Sequence, residues 1–197
     1  MTKNALITKL AMPLFLLGLC LSSVAYIPLV RKLVGIDATI GMPFSTMLIW
    51  LIAGSMAAIA GMISLTRKRS LDHITYKNEN MDNTNIAIPY VLGLALLLII
   101  PFANFVAVYY GWLKNRNHST TLDEEYRCSL NFQITVQLYF LMCLFLLPIG
   151  IGFLLLPLLI LLHIVGTLFV VWRRLSGNKQ GYPATIKIIP VSIKPAV

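Results

Sequence analysis

Residues 132–172, FQITVQLYFLMCLFLLPIGIGFLLLPLLILLHIVGTLFVVW, form a 41-residue stretch without an Asp, Glu, Lys or Arg side chain. A helix that crosses the hydrocarbon core of a bilayer needs about 20 apolar residues, so this stretch is about twice as long as one span. Pro148-Ile149-Gly150 lies near its middle, where the chain would have to reverse. The stretch therefore predicts two antiparallel membrane helices joined by a very short turn.

The composition of the whole chain agrees with an integral membrane protein. Of the 197 residues, 58% are hydrophobic and 12% are charged, whereas a soluble domain has about 25% charged residues. The net charge of +9 would suggest a nucleic-acid partner in a soluble protein. Here the Lys and Arg residues lie at the ends of apolar regions, where they set orientation in a membrane. We therefore expect the lipid bilayer as the main partner and no nucleic acid.

Three further apolar regions precede the hairpin, at residues 10–30, 44–65 and 86–113. The first is an uncleaved span, which we favour, or a signal peptide with a cleavage site at Ser23-Val24-Ala25. The predicted fold class is all-α: a polytopic membrane helix bundle of four or five spans with a C-terminal antiparallel helical hairpin. We divide it into a two-span extension with a polar linker (1–85) and a membrane domain with a basic tail (86–197).

The region 86–113 is compatible with two topologies. Its 28 residues are long for one span and short for two, and Pro101 interrupts it, which kinks or breaks a helix. A single tilted span divides the 16 Lys and Arg residues six to ten between the faces, and a re-entrant hairpin divides them fourteen to two. The positive-inside rule favours the second division. Both topologies place 114–131 and the C-terminus on one face, which we expect to be the cytoplasmic face of a bacterial inner membrane.

Polar side chains near and within the apolar regions are the candidate functional residues. Such groups cost free energy in lipid unless neighbouring helices satisfy them, so we expect interhelical hydrogen bonds or a polar path. The candidates are Asn104, Asn131, Gln133, Gln137 and His163. Counting outward from Gly150 puts Gln137 and His163 at the same depth, where they could bond across the hairpin.

The second apolar region carries small residues on one face. Gly54-x-x-x-Ala58 and Ala57-x-x-x-Gly61 are pairs of small residues four positions apart. Such pairs let helix backbones approach closely. They predict a packing face, directed at another helix of this chain or at another subunit.

Helix ends are also predicted by pattern. Thr121 and Glu124 have the spacing of a capping box, so we expect a helix to begin near Leu122. The adjacent acids at 123–125 could instead bind a cation or a basic partner, but the cap is the favoured interpretation. Tryptophan at the end of an apolar region is typical of the membrane interface, and this pattern applies to Trp112 and Trp172.

Catalytic and metal-binding patterns are missing from the sequence. It has no nucleotide-binding glycine loop and no plausible catalytic triad, and its three histidines are scattered. Cys20, Cys128 and Cys143 have neither a zinc nor a redox spacing. We therefore expect a protein that is not an enzyme, with no cofactor, no metal site and no disulfide.

The C-terminal half carries an ordered set of short motifs. Leu130-Asn131-Phe132-Gln133-Ile134-Thr135 is followed by Pro148-Ile149-Gly150 and by Tyr182-Pro183, and Gly111-Trp112-Leu113-Lys114 precedes them. Over residues 88–190 this order resembles a family of small prokaryotic membrane proteins of unknown function. That family is similar to the twenty-kilodalton channel component of the chloroplast inner-envelope protein-import machinery. The resemblance implies a membrane domain and, by analogy alone, a link to protein transport; it implies no catalytic or ligand residues.

Two functions therefore stay open. The first is a non-enzymatic scaffold or accessory subunit of a membrane complex, with a membrane-protein partner or a second copy of the chain. The second is a small transporter or channel for ions or small solutes, whose path Asn104, Gln133, Gln137 and His163 would line. The apolar regions contain no acidic residue, which argues against a proton- or sodium-driven pump.

Overall fold

The computed structural model describes residues 11–22, 24–25, 43–70, 83–94, 102–177, 182 and 185–189. These residues contain no strand; they form α1 (Ala11–Ser22), α2 (Phe44–Ser70), α3 (Asn83–Leu92), α4 (Ala103–Asn115), α5 (Thr120–Phe145), a 3₁₀ turn (Leu147–Ile149) and α6 (Ile151–Leu175). The predicted all-α membrane bundle is confirmed. Most of the predicted polar linker and the proposed cleavage position at Ser23 lie outside the described residues.

Three of these helices are long and apolar enough to cross a membrane, over Phe44–Thr66, Thr120–Phe145 and Ile151–Leu175. Helix α1 is apolar but shorter in its described part. Helices α3 and α4 have only 10 and 13 residues. At a rise of about 1.5 Å per residue, neither of them crosses a core about 30 Å thick.

Helices α5 and α6 form the predicted antiparallel hairpin. The chain reverses through the 3₁₀ turn and Gly150, whose φ of 83° lies in the left-handed region that glycine adopts without a steric cost. The first turn of α6 is in close contact with α5, because a Cβ on Gly152 would lie 2.3 Å from the carbonyl oxygen of Cys143. The hairpin therefore closes with almost no loop.

The centre of the reversal lies nearer to Leu147 than to Gly150. As a result His163 is level with Phe132, and their ring centroids are 5.3 Å apart. Gln137 instead bonds to Asn104 of α4. The expected pairing of Gln137 with His163 is therefore wrong, because a count from Gly150 shifts the register of the two helices.

Helix α2 runs antiparallel to α5. Leu48 and Leu51, near its start, share an apolar cluster with Leu144, near the end of α5. Met62, near its end, shares another cluster with Leu130 of α5. The C-terminal end of α2 therefore lies on the same side of the bundle as the start of α5.

The small residues of α2 lie against α1. A Cβ on Gly54 would lie 2.6 Å from the backbone nitrogen of Ser22, and a Cβ on Gly18 would lie 2.2 Å from the backbone nitrogen of Ala58. The two backbones are therefore in direct contact. The face predicted from the sequence, which comprises Gly54, Ala57, Ala58 and Gly61, is placed against a helix of the same chain.

Helix α3 enters the bundle beside the start of α5. Tyr90 donates a hydrogen bond to Glu125, in the second turn of α5. Gly93 lies two turns deeper, where a Cβ would be 2.2 Å from Nε2 of Gln133. The described residues of α3 therefore run from the start of α5 toward its middle.

Helix α4 returns along the same helix in the opposite direction. Asn104 bonds to Gln133 at 2.6 Å, and Trp112 bonds to Asp123 at 2.6 Å. The described parts of the region that the sequence left open, 86–94 and 102–113, thus run antiparallel with both outer ends on one side of the bundle, as in the re-entrant topology that the charge count favours. The same end of the bundle carries Lys114, Arg116, Arg127 and Arg173.

The contact between α1 and α2 predicts the effect of a larger side chain at Gly54. Gly54→Leu forces two backbones apart, an overpacking that costs about 1–3 kcal/mol, so the thermal midpoint in detergent should fall. Ala60→Leu, on an exposed position of the same helix, is the matched control and should leave the midpoint unchanged. Equal midpoints for both variants would contradict the packing.

Candidate functional site

Helix α5 begins earlier than its sequence pattern predicts. Ser119 is its N-cap, with extended backbone angles and a side-chain oxygen that accepts the N–H of Leu122 at 3.1 Å. The predicted cap at Thr121 and capping box with Glu124 are therefore two residues too late. Thr121 already has helical geometry, whereas a capping residue must stand outside the helix to reach its free N–H groups.

The first acidic residue of α5 holds the end of α4. Asp123 accepts a hydrogen bond from Nε1 of Trp112 at 2.6 Å and pairs with Arg127 at 2.9 Å. Trp112 is completely buried, whereas Trp172 is 65% exposed. The prediction of an interface anchor is therefore wrong for Trp112, because its indole N–H is satisfied inside the protein. The exposure of Trp172 agrees with an anchor.

A buried ion pair joins three helices. Glu125 of α5 and Arg174 of α6 approach to 2.9 Å with side-chain exposures of 8% and 5%. Tyr90 of α3 donates to Glu125 and accepts from Arg174 at 3.2 Å. Because each charge is desolvated, it depends on the other two groups. Asp123 and Glu125 are thus engaged within the protein, which disfavours the alternative of a cation site at 123–125.

Ser129 satisfies the broken end of α3. The last turn tightens there, and the N–H of Gly93 bonds to the carbonyl of Tyr90 at 3.1 Å. The carbonyl of Pro89, which an α-helix would pair with Gly93, accepts from the hydroxyl of Ser129 at 2.8 Å. A polar side chain on α5 thereby replaces the missing backbone bond.

Three of the predicted amides meet further along α5, beyond Ser129. Asn104 donates to Gln133 at 2.6 Å and accepts from Gln137 at 3.3 Å. A Cβ on Gly93 would lie 2.2 Å from Nε2 of Gln133, and the His163 ring lies against Phe132, the residue before Gln133. Among the described residues, Nε2 of Gln133 and Nε2 of His163 have no partner. Gly93 thus lies beside one of these two buried, unsatisfied atoms, Nε2 of Gln133.

Asn131 lies on the opposite face of α5 and binds the C-terminal tail. Its amide nitrogen donates to the carbonyl of Ile189 at 2.9 Å, and its amide oxygen accepts the N–H groups of Ile188 at 3.0 Å and Ile189 at 2.7 Å. One turn further on, Thr135 accepts the N–H of Ile186 at 3.1 Å. Asn131 therefore binds irregular backbone of the tail, where the N–H of Ile188 also bonds to the carbonyl of Ile186 at 3.0 Å, rather than a neighbouring helix.

Aromatic stacking fixes the other end of the tail. The rings of Tyr182 and Phe132 are parallel within 3°, and their centroids are 3.7 Å apart. Burial raises the pKa of the Tyr182 phenol, so the ring stays neutral at physiological pH. Ile189 is completely buried in the main apolar cluster. The described part of the tail is thus an integral part of the bundle.

The structure unites some of the predicted residues and adds others. It brings together Asn104, Gln133 and Gln137, with His163 nearby, and separates Asn131 from them. In the part of the chain that the structure describes, no three His, Cys, Asp or Glu side chains are placed to hold a metal ion. The contacts that the sequence did not indicate involve Tyr90, Glu125, Ser129, Thr135, Arg174 and Tyr182.

The tail contact predicts the exposure of position 189. In Ile189→Cys the thiol should react slowly with a maleimide, because this position is buried. Adding Asn131→Ala removes three hydrogen bonds to the tail and should accelerate labelling at least tenfold. Adding Asn117→Ala, an exposed position, should not. All three variants are made in a chain without its native cysteines. Equal labelling rates at position 189 in all three would contradict the docked tail.

The buried ion pair predicts a difference between two adjacent arginines. Arg174→Met leaves Glu125 buried without its charge partner, which typically costs about 3–5 kcal/mol, so thermal unfolding in detergent should occur at a lower temperature. Arg173→Met, the neighbouring control, should change little. The double variant Glu125→Met/Arg174→Met should recover part of the loss, and a double variant less stable than Arg174→Met would exclude the pairing.

Comparison with known proteins places this site in a family. Residues 82–189 match the model of the MamF/MmsF family, described as the magnetosome magnetite crystal formation protein family. No curated protein and no solved structure matches the chain.

The match corrects the resemblance drawn from the motifs. The string 130–135 and Tyr182-Pro183 lie inside the matched range, and the family found there is the magnetosome family. The link to the chloroplast import channel is therefore wrong. The range begins one residue before α3 and ends at Ile189, the residue that Asn131 holds. Because it covers more than half of the 197 residues, the chain belongs to the magnetosome magnetite crystal formation protein family.

Proposed function

We propose that the chain is a non-enzymatic subunit of a magnetosome-type membrane that takes part in magnetite crystal formation as a scaffold or accessory protein. Family membership supports the compartment and the process. The scaffold role rests mainly on one observation: the polar side chains of α5 between Ser129 and Gln137 are buried and bind other parts of the chain. Groups engaged in this way stabilise an architecture.

The outer surface of the bundle supports the same role. In the apolar stretch of α6 that could cross a membrane, only 22% of the residues are buried inside the protein, against 61% in that of α5. Helix α6 therefore offers an apolar side to lipid and to the spans of neighbouring membrane proteins. Its polar residues His163 and Thr167 are buried, so partner contacts on this side would depend on shape and van der Waals packing.

The proposed orientation follows from the charges. The open end of the re-entrant hairpin carries Lys114, Arg116, Arg127 and Arg173. The positive-inside rule assigns this end to the cytoplasm. The tail would then dock from the cytoplasmic side, in a membrane derived from the bacterial inner membrane.

Complementation tests the proposal in a magnetite-forming bacterium that lacks its own family member. The full chain should restore the diameter distribution of the crystals seen by electron microscopy, and affinity purification in mild detergent should recover a membrane protein in a fixed ratio. Arg174→Met, which weakens the bundle, should restore less, and Lys114→Met, an exposed position at the same end of the bundle, should match the unchanged chain. Unrestored crystals with normal membrane levels, together with a monomer lacking any partner, would contradict the proposal.

A transporter is the second candidate, and a specific observation favours it. Nε2 of Gln133 and Nε2 of His163 lie buried without partners among the described residues, near the end of a broken helix, an arrangement that transporters use for binding. Proteoliposomes that contain the chain should then take up an ion or small solute. A flux that is lost in Gln133→Leu and kept in Asn117→Leu would support the transporter function in place of the scaffold. Flux equal to protein-free vesicles would exclude it.

A further inference from the structure

A groove runs along the outer side of the hairpin. Phe132 of α5 contributes one wall, and the rest comes from one side of α6, with Leu158, Leu161, Leu162, Val165, Gly166 and Phe169. The cavity has a volume of about 400 Å³. Its lining is entirely apolar in residue type, and it lies within the apolar part of the hairpin.

Gly166 opens the groove over a fixed floor. A Cβ at this position would meet only Cζ of Phe132, at an ordinary contact distance of 3.6 Å. The ring of Phe132 is stacked on the ring of Tyr182, with their centroids 3.7 Å apart. Phe132 itself is only 2% exposed, so the missing side chain of Gly166 leaves a depression that ends on the edge of a fixed, buried ring.

The groove leads to a positive charge. The guanidinium of Arg173 lies 4.8 Å from the ring centroid of Phe169, one turn beyond the last lining residue. Beside it, Trp172 is largely exposed, as expected at the level of the lipid headgroups. From Leu158 to Arg173 the stripe covers 16 residues, a rise of about 22 Å along the helix.

We propose that this groove binds an acyl chain of an anionic phospholipid whose phosphate contacts Arg173. A guanidinium pairs readily with a phosphate, and the length and apolar lining of the stripe suit an alkyl chain. A partner helix fits less well. Close helix packing uses small residues four positions apart, and the positions four before and four after Gly166 are Leu162 and Val170.

Native mass spectrometry of the purified full chain tests the site. The probes are phosphatidylglycerol and, as the zwitterionic comparison, phosphatidylcholine, each added to delipidated protein in detergent. The unchanged chain should retain one phosphatidylglycerol at collision energies that remove phosphatidylcholine. Gly166→Leu fills the groove and should lose this retained lipid, whereas Gly166→Ala should keep it. Arg173→Gln should weaken phosphatidylglycerol about fivefold, and Lys114→Gln, at the same end of the bundle but outside the groove, should not.

Three results would overturn the proposal. The first is equal retention of phosphatidylglycerol by Gly166→Leu and Gly166→Ala. The second is equal weakening by Arg173→Gln and Lys114→Gln, which would indicate a diffuse charge effect. The third is occupation by a second copy, seen as an efficient disulfide between two chains of Leu162→Cys in membranes. The thermal midpoint in detergent serves as the control for folding. It should be unchanged in the four variants used for mass spectrometry, Gly166→Leu, Gly166→Ala, Arg173→Gln and Lys114→Gln.

Discussion

Backbone groups that leave regular structure inside a membrane must find partners in the protein, since lipid offers none. Two segments of this chain face that requirement, the end of α3 and the tail at 185–189. Helix α5 contacts both segments with two rows of side chains, each spaced by one helical turn, and Ser129, Asn131 and Thr135 bond to their backbone groups. Ser129 and Gln133 face the re-entrant hairpin, and Asn131 and Thr135 face the tail. The rest of the bundle is arranged around this polar helix.

The charges at one end of the bundle complete the arrangement. Asp123 ties the end of α4 to α5, and Glu125 ties α3 to α5 and α6. Both ends of the re-entrant hairpin are thereby fixed by buried charged groups at one end of the bundle, while the deeper contacts use neutral amides. The family match covers this unit, and α1 and α2 precede it in the chain. The division of the chain at residue 85 stays a prediction.

The hairpin followed from the sequence, and the charge count favoured the re-entrant topology without deciding it, because length and charge act over whole segments. Individual partners did not follow, because periodicity shows which residues share a face but not what that face meets. Trp112 and Trp172 have the same local pattern and opposite burial. Glu125 and Arg174 are 49 positions apart and pair only through the fold. The apolar residues Ile188-Ile189 in the basic tail and the one-turn spacing of Asn131 and Thr135 were the available signals for the docked tail.

The re-entrant hairpin is the central claim, and side-specific labelling of sealed vesicles tests it most directly. Single cysteines replace Asn85, Asn117 or Ile149, all exposed positions, in a chain without its native cysteines. A membrane-impermeant maleimide should reach positions 85 and 117 from one side and position 149 only from the other. Labelling of 85 and 117 from opposite sides would show that residues 86–113 cross the membrane and would contradict the account.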